Sequence, residues 1–223
     1  VNMASEKFQA LISQVIVDCE GAYNISDDIV IVGIDQHEHD VRLEEVISKL
    51  NASGLTLNGD KCQIGVNSVS YMGHILTDEG IQVSDDKIKA ITEAPMPQNS
   101  QEVRSFLGSA QFCARFIPGF ASITEPLWRL TQKMTKWTWG EKEQKAMNAV
   151  KKCLSEAPVM AYFNVNAQTR IVTDASPVGL GAILEQEQSD GSYRPVYYAS
   201  RKLSDTETRY SQLEREALAI KWA

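Results

Sequence analysis

Apolar residues recur at two different spacings in the first 83 positions of the chain. Around residues 5–14 and 36–53 they return every three or four positions, which predicts two amphipathic helices, the second ending at Gly54. The apolar positions are Phe8, Leu11, Ile12 and Val15 in the first helix and Val41, Leu43, Val46, Ile47 and Leu50 in the second. Short β-favouring runs at residues 55–57, 68–76 and 81–83, with a glycine-containing turn at residues 77–80, predict strands and a hairpin.

Between the two helices, residues 22–33 read AYNISDDIVIVG and predict another tight hairpin. β-favouring residues flank the Ser-Asp-Asp sequence, so Asp27 and Asp28 are expected at or beside the tip. Two neighbouring carboxylates repel each other and resist burial, so a hairpin that directs both the same way favours a bound cation. A solvated turn is the alternative, because Asp and Ser are common turn residues.

From residue 84 onward the pattern predicts helices first and strands after them. Capping residues Ser84 and Asn99 begin two short helices, a third is expected near residues 123–130, and a longer one ends before Pro158. The apolar stripes are Val103, Phe106, Leu107 and Ala110, then Ala146, Met147, Val150, Cys153 and Leu154. Strands are predicted over residues 169–174, 179–187 and 194–199, before a last helix capped by Ser211 whose buried face would be Leu213, Ala217 and Ile220.

The composition is that of an ordinary soluble globular protein, with 43% hydrophobic and 23% charged residues. The sequence has no run of 18 apolar residues and no basic-apolar leader, so we expect neither a membrane span nor secretion. The four cysteines, at positions 19, 62, 113 and 153, are widely spaced and form no Cys-x-x-Cys pair. They are expected to be reduced thiols, without zinc or a disulfide framework, in an intracellular protein of the cytoplasm or nucleus.

The net charge of −7 is distributed unevenly. Residues 1–83 contain 4 Lys and Arg against 13 Asp and Glu, residues 84–136 contain 7 against 5, and residues 137–223 contain 11 of each. A basic surface for phosphate is therefore absent overall and mild in the middle third. This distribution argues against strong binding of nucleic acid by the chain alone.

Several short motifs follow one another in a fixed order. They are residues 1–9 (VNMASEKFQ), 25–28 (ISDD), 54–58 (GLTLN), 71–74 (YMGH), 102–108 (EVRSFLG), 115–118 (RFIP), 173–176 (TDAS), 179–182 (GLGA) and 214–218 (EREAL). In this order they resemble the Pol polyprotein of gypsy-type long-terminal-repeat retrotransposons, from the reverse transcriptase palm through the thumb into the first half of the ribonuclease H-like domain. The resemblance extends over essentially the whole chain.

The resemblance implies that Asp27 and Asp28 are two of the three palm aspartates that hold two Mg²⁺ ions for nucleotidyl transfer, with Mn²⁺ as a possible substitute. The third acid belongs to an earlier strand that this chain does not contain, so the polymerase site is expected to be incomplete. Ile25 stands where the family usually has an aromatic residue that could contact primer or template. Phe8 and Gln9 match the helix that packs near the nucleotide, with core packing of Phe8 as the alternative.

Ribonuclease H chemistry needs a cluster of carboxylates around two metal ions, and the resemblance assigns two of them to Asp174 and Glu216. Asp174 ends the first strand of a predicted mixed sheet. Glu216 lies three residues after Leu213 and four before Ile220, so it is expected to border the buried face of its helix. A carboxylate there is costly unless compensated, and a structural role is the alternative to a metal ligand. The family's last two acids would lie beyond Ala223, so this site is also expected to be half present.

Contacts to nucleic acid are expected from two groups of residues. The resemblance implies that Met72 and Gly73 belong to the primer-grip hairpin, and Lys61, Arg104 and Arg115 are candidate ligands of phosphate groups. For the three basic residues an ordinary solvated surface is an equal alternative. Three tryptophans, Trp128, Trp137 and Trp139, are predicted to anchor the core or a domain junction rather than to stack on bases.

The sequence therefore predicts a mixed α+β fold in three parts. Residues 1–83 would form the C-terminal part of a palm, residues 84–136 a helical thumb or connection, and residues 137–223 the truncated ribonuclease H-like domain. The expected function is RNA-directed DNA synthesis with hydrolysis of RNA in RNA–DNA hybrids. The isolated chain is expected to have little or no catalytic activity. The expected partners are RNA template, DNA primer, RNA–DNA hybrid and the remainder of the polyprotein, with no membrane. The alternative is a degenerate or co-opted remnant that binds nucleic acid or protein without catalysis.

Overall fold

The computed structural model describes residues 3–223, so Val1 and Asn2 of the first motif lie outside the described residues. The chain divides into two compact units, the first ending at Met72 and the second spanning Gly73–Ala223. Helices and antiparallel strands occur in both units, which confirms the predicted mixed α+β class. Across this described part, none of the helices has the length and apolar character needed to cross a bilayer. The predicted division after residues 83 and 136 stays a prediction.

The first unit consists of two helices, a hairpin, a short 3₁₀ turn and one further strand. The elements are α1 (Met3–Val15), β1 (Ala22–Ile25), β2 (Asp28–Ile31), α2 (Gln36–Ala52), the 3₁₀ turn (Gly59–Lys61) and β3 (Ser68–Tyr71). Asp35 caps α2 by accepting the Glu38 amide at 2.8 Å, and Gly54, with φ of 74°, follows its end as predicted. The strand predicted over residues 55–57 is wrong: this segment is irregular, and Leu55 packs on the helical core instead of pairing with a strand.

The core of the first unit is small and uses only part of the predicted apolar stripe of α1. Its buried members are Ile12, Ile16, Cys19, Val46 and Leu50. Phe8 and Leu11, predicted on the apolar face, are 42% and 44% exposed. The contact with α2 is supplied by Ile12 and by Ile16, which directly follows the end of α1. These two residues are one helical turn apart and therefore lie on the same side.

The second unit begins with a hairpin, continues through helices and ends with a sheet and a helix. Its elements are β4 (His74–Thr77), β5 (Ile81–Val83), α3 (Asp85–Thr92), α4 (Ser100–Phe112), a 3₁₀ turn (Ala114–Phe116), α5 (Phe120–Ile123), α6 (Glu125–Arg129), α7 (Glu141–Ser155), β6 (Thr169–Ala175), β7 (Gly179–Glu187), β8 (Tyr193–Lys202), a 3₁₀ turn (Glu207–Arg209) and α8 (Gln212–Trp222). The strand predicted over residues 68–76 is interrupted at Met72 and Gly73, whose φ values are 50° and 76°. The third predicted helix is two short ones, α5 and α6.

One hydrophobic core joins the helices α3–α7 to the hairpin β4–β5. Val103, Phe106, Leu107 and Ala110 are all buried, which confirms the predicted stripe of α4. Asn99 caps this helix by accepting the amides of Gln101 and Glu102 at 3.0 and 2.9 Å. The core extends from Val83 to Met160.

Strands β6, β7 and β8 form an antiparallel sheet in that order, where the sequence predicted a mixed one. The helix α8 packs against it, but not through the predicted face: Leu213 and Ile220 are 80% and 71% exposed, and Ala217 is exposed as well. The buried side instead centres on Ala219, which packs with Ala175 and Leu180. Because alanine is small, this side lets the helix approach the sheet closely.

Candidate catalytic sites

The hairpin β1–β2 presents two carboxylates to solvent. Ile25 pairs with Asp28, so Ser26 and Asp27 form a two-residue tip, and both Asp27 and Asp28 are exposed. Ser26 has a φ of 56°. The left-handed conformation costs a non-glycine residue about 1–2 kcal/mol, so neighbouring contacts must hold it. The acids are therefore placed side by side by a tight and strained turn.

Polar side chains of α1 and β1 hold this tip. The Ser26 amide donates to Gln9 Oε1 at 3.2 Å, and Ser13 Oγ donates to Asn24 Oδ1 at 2.9 Å. Asn24 Nδ2 lies 3.4 Å from the Gln9 carbonyl oxygen and 3.5 Å from that of Ser26. The roles of Ser13 and Asn24 were not predicted from the sequence. The sequence signal for Asn24 was its position between Tyr23 and Ile25, which places a polar side chain on the opposite face of the strand from these two residues.

Tyr71 at the end of β3 reaches the same hairpin. Its hydroxyl lies 3.5 Å from the backbone oxygen of Asp28. Burial raises the pKa of Tyr71, and the Asp28 carboxylate adds to this effect. The phenol therefore remains a neutral donor toward the hairpin at neutral pH.

The Asp27 and Asp28 side chains suit a hard divalent cation. Carboxylate oxygens are preferred by Mg²⁺, and within residues 3–223 neither carboxylate takes part in an ion pair or side-chain hydrogen bond that would compete. The same described stretch contains no group of three or more His, Cys, Asp or Glu side chains placed to hold a metal. The hairpin thus places Asp27 and Asp28 next to each other, and their role as metal ligands stays a prediction.

Asp174 and Glu216 lie on neighbouring elements of the second unit. Asp174 is the exposed penultimate residue of β6, and Glu216 is half-buried on α8, one turn before Ala219. The Glu216 carboxylate accepts a hydrogen bond from Gln212 Nε2, which also donates to the Ala175 carbonyl at 3.0 Å. Glu216 therefore borders the buried side as predicted, although that side is formed by other residues than those predicted.

Gln212 connects Glu216 to the strand that carries Asp174 through hydrogen bonds. Its amide joins the carboxylate of Glu216 to the strand residue that follows Asp174, and Arg215 Nη2 donates to its Oε1 at 3.1 Å. The role of Gln212 was not predicted from the sequence. Its position one turn before Glu216, on the same side of α8, was the signal that could have identified it.

Glu214 has a structural role, as predicted. Its carboxylate accepts the Ser211 amide at 2.7 Å, and its own amide donates to Ser211 Oγ at 3.3 Å, which is a capping box. The hydrogen bond from the Ser211 backbone holds the pKa of Glu214 below its usual range, followed by that from the Ser211 side chain.

The residues predicted to contact nucleic acid belong to four different segments of the chain. Met72 and Gly73 form the left-handed turn between β3 and β4, and Lys61 ends an exposed 3₁₀ turn. Arg104 is exposed and donates to the Thr131 carbonyl at 2.7 Å. Arg115 is half-buried, with its guanidinium carbon 5.2 Å from the ring centre of Tyr197. The two arginines therefore also have partners within the fold.

Aromatic and cationic side chains surround Gly73. A Cβ on Gly73 would lie 3.0 Å from Phe112 Cζ, and the His74 ring stacks on Phe112 at 5.0 Å between centres. Lys87 Nζ lies 4.4 Å from the same ring centre, and Phe112 is 41% exposed. Burial lowers the pKa of His74, and the charges of Arg115 and Lys87 act in the same direction. This surface combines an open ring with positive charge.

Two of the three tryptophans anchor the core as predicted, whereas Trp137 is exposed. Trp128 and Trp139 pack against the helical core, and Trp137 stacks on Trp139 with 6.1 Å between ring centres. The Trp139 indole donates to Gln144 Oε1 at 3.1 Å, which fixes the segment that enters α7.

Comparison with known proteins gives consistent results for sequence and fold. Residues 139–223 match the family described as the RNase H-like domain found in reverse transcriptase. Over 222 residues, 99% of this chain, the sequence is 31% identical to the Tf2-3 and Tf2-7 transposon polyproteins of Schizosaccharomyces pombe, of which it spans 17%. A foamy viral protease-reverse transcriptase dRH in complex with double-stranded DNA shares the fold, with a TM-score of 0.86, 22% identity, and coverage of 97% of this chain and 38% of that one.

A second solved structure, the foamy viral protease-reverse transcriptase in complex with an RNA/DNA hybrid, gives a TM-score of 0.84 at 21% identity, over 98% of this chain and 30% of that one. These findings confirm the resemblance read from the ordered motifs. The chain is thus similar over nearly its whole length to retrotransposon polyproteins, of which it spans about a sixth, and its residues 139–223 match the RNase H-like domain found in reverse transcriptase.

Proposed function

We propose that this chain is the segment of a retrotransposon polyprotein that runs from the catalytic hairpin of the polymerase palm through the thumb into the RNase H-like domain. In the polyprotein it serves RNA-directed DNA synthesis and hydrolysis of the RNA strand of RNA–DNA hybrids. The observation that carries the proposal is the pair Asp27 and Asp28, exposed side by side at the tip of a hairpin. The relationship to transposon polyproteins over 222 residues supports it.

In the polymerase reaction, Asp27 and Asp28 hold Mg²⁺, or Mn²⁺ in its place. When bound, such ions activate the primer hydroxyl and stabilise the charge on the transferred phosphoryl group. The residues of this chain contribute two exposed carboxylates that are adjacent in the sequence. The hairpin places Asp27 in the turn and Asp28 at the start of β2, and Ser26 fixes the conformation of that turn.

In the nuclease reaction, Asp174 and Glu216 are the proposed metal ligands of this chain. Gln212 orients the Glu216 carboxylate toward the end of β6, where Asp174 lies. A neutral amide suits this task, because it fixes the carboxylate without cancelling its charge.

The proposed partners are an RNA template, a DNA primer and the RNA–DNA hybrid. The structural neighbours are complexes with double-stranded DNA and with an RNA/DNA hybrid. The exposed ring of Phe112 and the charge of Lys87, beside Gly73, form a surface that suits contact with nucleic acid. With a net charge of −7, the chain alone is expected to bind weakly, and the remainder of the polyprotein supplies most of the affinity.

The chain alone is expected to be inactive, since each candidate site contains only two acids. The test is extension of a DNA primer on an RNA template by the purified 223-residue chain with Mg²⁺. We expect no product. Robust extension that disappears in Asp27→Asn would overturn the argument from incomplete sites.

A chimera tests the roles directly. The chain replaces the matching 222 residues of the Tf2-3 polyprotein, and extension and hybrid cleavage are measured separately. We expect Asp27→Asn to abolish extension and spare cleavage, and Asp174→Asn to do the reverse. The exposed acid Asp18, changed to Asn, is the matched control and should affect neither.

Two outcomes of the chimera experiment would contradict the proposal. One is extension that persists in the Asp27→Asn chimera. The other is a chimera that binds the hybrid with the affinity of the Tf2-3 parent but performs neither reaction. The second outcome would favour a module that binds nucleic acid without catalysis.

A further inference from the structure

We propose that Gln9, Ser13 and Asn24 are positioning residues that fix the direction of the Asp27 and Asp28 carboxylates. This inference rests on the proposed function, in which the hairpin holds a divalent cation. The three side chains and the backbone of Ser26 form one hydrogen-bonded group, defined here as the hairpin brace.

The alternation of β1 directs Asn24 into the brace. Tyr23 and Ile25 face the other side of the strand and are 62% and 46% exposed, whereas Asn24 is half-buried toward α1. Ser13 Oγ donates to Asn24 Oδ1 at 2.9 Å, which fixes the orientation of the amide. Its Nδ2 is thereby aimed at the carbonyls of Gln9 and Ser26, on the helix and at the tip.

Gln9 completes the brace at the strained residue. The Ser26 amide, which lies outside the paired positions of the hairpin, donates to Gln9 Oε1 at 3.2 Å. Ser26 is thus held from both its amide and its carbonyl while its φ is 56°. These contacts select the left-handed conformation over the extended alternatives that serine otherwise prefers.

The orientation of Ser26 decides where the following acids point. Asp27 and Asp28 repel each other when ionised, so a free tip would favour conformations that separate their carboxylates. The brace opposes that separation before any cation binds. Its loss is therefore expected to weaken cation binding, although no residue of the brace is itself a proposed ligand.

The test measures binding of Mn²⁺ alone to the full 223-residue chain, through paramagnetic broadening of the amide signals of the hairpin in NMR spectra. Gln9→Ala, Ser13→Ala and Asn24→Ala are each expected to weaken binding about five- to tenfold, the loss that one hydrogen bond implies. Ser13→Thr keeps the hydroxyl and should restore wild-type binding. The exposed residues Gln14 and Ser48, changed to Ala, are matched controls on the helices.

Hydrogen exchange of the Ser26 amide is the second measurement, and it requires no metal. We expect protection in wild type and Ser13→Thr, and faster exchange in Gln9→Ala and Ser13→Ala. Wild type that binds Mn²⁺ at the hairpin, with alanine variants that bind equally well, would overturn the brace. Wild type with a protected Ser26 amide but no Mn²⁺ broadening at the hairpin would support the brace and overturn the proposed metal role.

Discussion

Replacement of Gly80 by alanine is expected to destabilise the second unit strongly. Gly80 lies in the turn between β4 and β5, where it is buried and has a φ of 143°. A Cβ built at this position falls 2.0 Å from the carbonyl oxygen of Met160. Because that oxygen belongs to the backbone, it cannot rotate away as a flexible side chain would.

The magnitude follows from the contacts that must yield. Relief of the clash separates β5 from Met160, which breaks the hydrogen bonds of Ile81 N to Met160 O at 2.8 Å and of Met160 N to Ile81 O at 2.9 Å. Each contributes about 1 kcal/mol. A non-glycine residue at this φ adds about 1–3 kcal/mol of strain. We expect Gly80→Ala to lower the free energy of unfolding by about 3–5 kcal/mol.

Urea denaturation followed by tryptophan fluorescence suits this prediction, because all four tryptophans lie in the second unit. Gly108→Ala is the matched control. Gly108 is inside α4, its added Cβ meets nothing within 4 Å, and the exchange should stabilise by about 0.5–1 kcal/mol. A Gly80→Ala variant as stable as wild type would refute the reasoning from the Met160 contact.

Three further predictions concern a helix cap, an ion pair and the candidate nuclease site. Asn99→Ala removes the acceptor shared by two amides of α4 and should cost about 1 kcal/mol in urea denaturation, whereas an unchanged midpoint would contradict the cap. The Arg201 guanidinium, followed by the Ser204 amide, lowers the pKa of Glu207 from 4.5 to about 2. Since the folded-state pKa is the lower one, this stabilisation is complete above pH 4.5 and is lost as the pH falls toward 2, so Glu207→Gln should remove that part of the acid dependence of unfolding. Gln212→Ala should weaken Mn²⁺ binding near Glu216 about fivefold in NMR titrations, and equal binding would exclude an orienting role.

Local chemistry was sufficient to predict most elements of the fold. The stripe of α4 and its Asn99 cap follow from residue types at fixed spacing, and both are confirmed. The irregular segment at residues 55–57 was not predictable in this way. A strand needs a partner, and Leu55 had the alternative of packing on the helical core.

The face of α8 shows why spacing alone can select the wrong side of a helix. Leu213, Ala217 and Ile220 form an apolar stripe, but Leu218, Ala219 and Trp222 form a second one on the same helix. Hydrophobicity favours the first stripe. The sheet favours the second, because Ala219 allows close contact with Ala175 and Leu180. The surface of the sheet against which α8 packs decides which of the two stripes is buried.

The candidate sites likewise contain some features that could be predicted from the sequence and others that could not. The hairpin that carries Asp27 and Asp28 could be predicted, because β-favouring residues flank the two acids, whereas the role of the four acids as metal ligands stays a prediction. The hydrogen bonds of the Asn24 and Gln212 amides could not be predicted, because they depend on which elements pack against these two residues. In both sites the supporting group is a neutral carboxamide that bonds backbone carbonyls beside the acids. A lysine or arginine in the same place would pair with the carboxylates and reduce their affinity for a cation. The use of neutral amides at both places leaves the negative charge of the carboxylates available, as their proposed role in binding a metal requires.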